Sequence, residues 1–185
     1  MPRTFLLFLI SALLVFLVAA SPSVSGKEFL TEKEIERIQE AQVIDERIKI
    51  YLEAASLRLK TAEERLYGKE SLEGDPFEFF SPEDLLDGYY RILRSAMFNL
   101  DEAFQKGGVD PVKVREALKE LKKRTESAGK DLEILKKLAE EKQKEELWNL
   151  VNQAIDITGG AHDGAESGLA RLPAQPSDKK KDKDR

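Results

Sequence analysis

Cysteine is absent from this 185-residue chain, and histidine occurs once, as His162. Without a thiol there can be no disulfide framework, cysteine nucleophile, covalently attached c-type haem or lipid-modified cysteine anchor. With one histidine, a Ser–His–Asp triad would have to be built on His162, yet that residue sits in a glycine-rich stretch and no Gly-x-Ser-x-Gly elbow occurs in the chain. Carboxylate-bridged di-iron bundles need two Glu-x-x-His pairs, more than one histidine can supply. No Asp-x-Asp-x-Asp-Gly calcium loop is present, and Asn99, Asn149 and Asn152 are not followed by the residues of a glycosylation acceptor. These absences argue against an enzyme and against a resident metal or cofactor, and they leave the fold to rest on apolar burial.

What is present begins with the first 20 residues. Arg3 and the amino terminus supply positive charge, and Phe5 to Ala20 form an apolar run broken only by Ser11. Small residues follow at Ala19, Ala20, Ser21, Ser23 and Ser25. This is the pattern of a cleavable secretory signal peptide. Cleavage after Ala20 fits best, with positions up to 25 also open, because a cut after Ser21 would place Pro22 beside the scissile bond. The apolar run is shorter than the roughly 20 residues that span a bilayer, so no stable membrane anchor is expected after cleavage. The expected address is secreted or periplasmic, in a bacterial envelope.

The remaining charge is uneven. Lys and Arg number 30 against 35 Asp and Glu; removing Arg3 and the five basic and three acidic residues of 173–185 leaves 24 basic against 32 acidic, a body of net charge −8. An acidic body repels nucleic acid. The tail, 173–185, has no apolar group to offset ordering entropy and reads as a disordered, solubilising end.

Between leader and tail, residues 27–172 read as one helical domain. Thr31 and Glu34 form a capping box, with Leu30 stapling towards Ile35. Apolar residues then recur in steps of three and four from Ile35 to Leu66, and Gly68 provides a stop, predicting one helix over 30–67. Ser81-Pro82 with Asp84 and Asp110-Pro111 repeat the start signal, predicting helices over 82–106 and 111–139. The third seam stays in phase across Gly129 and lapses over Glu140 to Glu146, where a turn is expected near 140–145. A fourth helix is expected over 145–158 or beyond, with Gly160, Gly164 and Gly168 forming either a smooth helical ridge or a frayed end. The architecture implied is all-α, an antiparallel, up-down four-helix bundle.

Phe77, Phe79 and Phe80 cluster in the loop over 68–81 and are the candidate partner-binding residues. Phe80 staples towards Leu85, while alternation would point Phe77 and Phe79 the same way, either outward as a contact patch or over the end of the core. The function expected is a non-catalytic exported interaction protein, an envelope scaffold or chaperone-like binder with a protein partner. The alternative is a small-ligand, metal- or haem-binding bundle. His162 with Met97, or Asp156, His162, Asp163 and Glu166, would then supply the ligands.

Overall fold

The computed structural model describes residues 28–173; the leader with its cleavage region, and the tail beyond Pro173, lie outside the described residues. The described chain is all-α, with no strand and five helices: α1 (Glu32–Glu40), α2 (Ile44–Leu66), α3 (Pro82–Lys106), α4 (Pro111–Glu141) and α5 (Glu145–Arg171). Among the described residues no helix is long and apolar enough to cross a membrane.

Local chemistry sets most of the boundaries. Thr31 N–H donates to Glu34 Oε2 at 2.8 Å while Glu34 N–H donates to Thr31 Oγ1 at 3.3 Å, closing the box on α1. Ser81 and Asp84 do the same for α3, at 2.9 and 3.1 Å, ahead of Pro82. Asp110 accepts from Val112 N–H at 2.9 Å in front of α4. At the end of α2, Gly68 takes φ +84° and its N–H donates to Arg65 O, while Lys69 N–H donates to Glu64 O, the paired bonds of a Schellman stop. The turn expected near 140–145 is the same motif without glycine. Gln143 takes φ 54°, Gln143 N–H reaches Glu140 O, and Lys144 N–H reaches Ala139 O, both at 3.0 Å.

The single helix expected over 30–67 is two helices. Ala41 and Val43 adopt extended backbone, at ψ 104° and 146°, and Arg47 Nη2 donates to the Ala41 carbonyl at 2.9 Å. The reason lies elsewhere in the chain. Glu34 pairs with Arg58, 24 residues on, and in one continuous helix the two would stand about 36 Å apart. Breaking at 41–43 lets α1 fold back along α2 and bury that pair.

The other four helices share one apolar core. Its buried rows step by four and three: Val114, Leu118, Leu121, Thr125, Ala128, Leu132, Leu135 and Ala139 on α4, and Leu147, Val151, Ala154, Thr158, Ala161, Ala165 and Gly168 on α5. The α5 row shrinks towards its end, and the glycine-rich stretch is helical to Arg171. A Cβ on Gly168 would meet Leu118 Cδ1 at 3.1 Å, so this residue's smallness admits α4.

Packing follows hairpins. The extensive contacts are α2 with α3, α4 with α5, α2 with α4, and α3 with α5, whereas the consecutive α3 and α4 barely touch. Lys113 Nζ bonds Asp45 and Tyr89 bonds Thr158, pairs 68 and 69 residues apart in sequence. The α4–α5 hairpin therefore lies beside the α2–α3 hairpin in the same direction. The link 107–110 crosses from one to the other.

Candidate functional site

The residues singled out from sequence lie on the loop between α2 and α3, and that loop is built on a buried arginine. Arg58 stands in the inward row of α2 between Ala54 and Ala62, four residues from each, and its side chain is 3% exposed. Nη2 donates to Glu34 Oε2 at 2.6 Å and to the Phe29 carbonyl at 3.0 Å. Nη1 donates to Glu34 Oε1 and to the Ala54 carbonyl. Burial pushes the Glu34 carboxyl up, but the Arg58 hydrogen bonds, the Thr31 N–H and the Arg58 charge outweigh it and hold the group below its ordinary 4.5. The guanidinium also lies 4.5 Å from the centre of the Phe77 ring. One side chain thus ties the segment before α1, α1 itself, α2 and the loop together.

Above this layer the loop is fixed by its own polar groups. Arg65 donates to the carbonyls of Lys69 and Phe77 and to Ser71 Oγ. Ser71 Oγ donates to the Glu78 carbonyl at 3.3 Å, Asp75 Oδ1 accepts from Phe77 N–H at 2.7 Å, and Gly74 N–H donates to Glu78 Oε2 at 3.1 Å. Phe80 N–H bonds Phe77 O, so this part of the loop is a turn with a three-residue repeat. Phe77 and Phe80 therefore come to the same side, edge to face with ring centres 5.6 Å apart, and close the core. Phe77 and Phe79 do not share a side: Phe77 is 4% exposed and Phe79 is 79% exposed. Leu72, which no periodicity singled out, is 80% exposed. The Ser71–Glu78 bond ties together the two residues that immediately precede Leu72 and Phe79, so both exposed side chains stand on the same pinned loop.

The remaining candidates are dispersed. His162 is half-buried on α5, its Nδ1 3.5 Å from Asp163 Oδ1, and Glu166 is paired with Lys122 at 2.8 Å. Among the described residues no group of three or more histidine or carboxylate side chains is placed to hold a metal ion. Met97 lines a groove whose opposite wall carries Ala161 and Ala165. Compared with protein-family models, curated proteins and solved structures, the chain matches none of them.

Proposed function

We propose that this protein is an exported, non-catalytic interaction protein: an up-down four-helix bundle, α2 to α5, with α1 strapped to its side, serving a bacterial envelope as a scaffold or chaperone-like binder. The observation that carries the reading is the loop over 68–81. Leu72 and Phe79 stand about four-fifths exposed on a loop pinned by Arg65, Ser71, Asp75 and Glu78. Large apolar side chains carried on a loop whose backbone is already pinned require little further ordering of that loop when a partner covers them, which is the character of binding hot spots. The leader supports export, and the acidic body supports a protein partner over nucleic acid.

A photo-crosslinking side chain at position 79, in the protein's native compartment, tests this. The expected result is one discrete adduct that disappears with Leu72→Ser, while thermal stability stays within about 2 °C because both residues are exposed. The same probe at Val112, exposed at the opposite end of the molecule, is expected to give no such adduct. Identical adducts from both positions would remove the loop from the reading.

A further inference from the structure

A groove of about 470 Å³ runs between the C-terminal halves of α3 and α5, floored by Leu118 and Leu121 of α4. Its two walls differ in height. The α3 wall carries Phe104, 40% exposed, and Phe98, 66% exposed, stands outside the groove's lining on the stripe of Asp101 and Gln105, three and seven residues before them. The α5 wall is low, since a Cβ placed on Gly160 or Gly164 would meet nothing within 4 Å. Opposite charges stand across the groove, Asp101 on α3 and Arg171 on α5, and neither forms an ion pair among the described residues.

The two walls run in the same direction, with Tyr89 level with Thr158, 69 residues later. That offset sets Phe98 level with Ser167, and Asp101 level with Arg171 to within a residue. A two-fold axis along the groove, parallel to the helices, would bring the α3 of one copy against the α5 of another without changing these levels. Phe98 would then lie over the Gly164–Ser167 stretch of the second copy, and Asp101 would meet its Arg171, each contact made twice. We propose that this groove is the interface of a parallel homodimer. The surface is complementary to itself in both shape and charge: an aromatic wall faces a glycine wall, and a carboxylate faces a guanidinium, each without an ion pair among the described residues.

Sedimentation velocity over a concentration series tests the proposal, with circular dichroism as the folding control. The wild-type chain is expected to dimerise. Gly164→Leu fills open space with a better helix former, so the chain should stay folded while the dimer dissociation constant rises more than about tenfold. Asp101→Arg should weaken the dimer similarly, and adding Arg171→Asp should restore it to within about threefold of wild type. Four outcomes would overturn the proposal: a wild type monomeric at every concentration, a dimer indifferent to Gly164→Leu, a charge reversal that the second substitution does not rescue, or a co-purified small molecule that Gly164→Leu expels from a monomer.

Discussion

At position 143 the backbone takes a left-handed turn, φ 54°, with a side chain that disfavours it. A non-glycine residue there loses about 1 kcal/mol to the clash of Cβ with its own carbonyl. Gln143→Gly is accordingly expected to stabilise the protein by about 1 kcal/mol in urea unfolding, reversing the usual penalty of glycine beside a helix. Glu34 makes a second residue-scale case. Its carboxyl is held below 4.5 in the folded protein, so the stability it contributes is present above that value and is lost as pH falls through the folded value. Protection factors of the α1 amides, taken against the intrinsic exchange rate at each pH, should therefore fall on acidification below about pH 4.5, and Glu34→Gln should remove that pH dependence. Arg58→Met, which leaves Glu34 buried without its cation, should cost about 3 kcal/mol, and the double change Glu34→Gln with Arg58→Met should recover part of it.

Among the elements, those with local start signals were legible residue by residue, and those shaped from a distance were not. Ser81-Pro82-x-Asp84 and Asp110-Pro111 mark α3 and α4 because a cap is satisfied by groups within three residues of it. The break between α1 and α2 has no glycine or proline to announce it, because its cause is a carboxylate and a guanidinium 24 residues apart. Arg58 did carry a signal, a charged residue in register with Ala54 and Ala62 on an inward row, but the capping role of Glu34 concealed its partner. The same gap separates Phe77 from Phe79: alternation is a strand's rule, and the loop turns every three residues. Leu72 shows nothing in sequence, since it lies in an irregular loop where no period of three, four or two says which side chains face water. At this scale Thr31→Ala should cost about 1 kcal/mol locally. Exchange of the α1 amides should quicken while that of α4 and α5 stays unchanged, because α1 packs principally on α2.

Across the whole molecule, the all-helical character and a shared core were legible from the three- and four-residue spacing, and the side-by-side placement of two hairpins was not, because seam periodicity says which face is buried and not which neighbour covers it. A buried polar contact joins those hairpins. Thr158 Oγ1 donates its one proton to the Ala154 carbonyl at 2.6 Å, so the Tyr89 hydroxyl must be the donor in the 2.6 Å bond between them. Burial pushes Tyr89 up to about 12 from 10.0. A group whose folded value is raised contributes stability that is intact below its ordinary value and is lost as pH rises. Global stability should thus decline between about pH 10 and 12, and Tyr89→Phe should flatten that limb while costing about 1 kcal/mol at neutral pH.

The link at 107–110 carries a different consequence. It joins two halves whose extensive contacts, α2 with α4 and α3 with α5, connect residues far apart in sequence, and its glycines hold φ 65° and 76° in open space. A chain severed there would keep both hairpins entire, each with its own turn and caps. Two separately produced fragments, 28–107 and 108–173, should reassemble on mixing, and a shortened link that could no longer cross between the hairpins should exchange them between molecules instead.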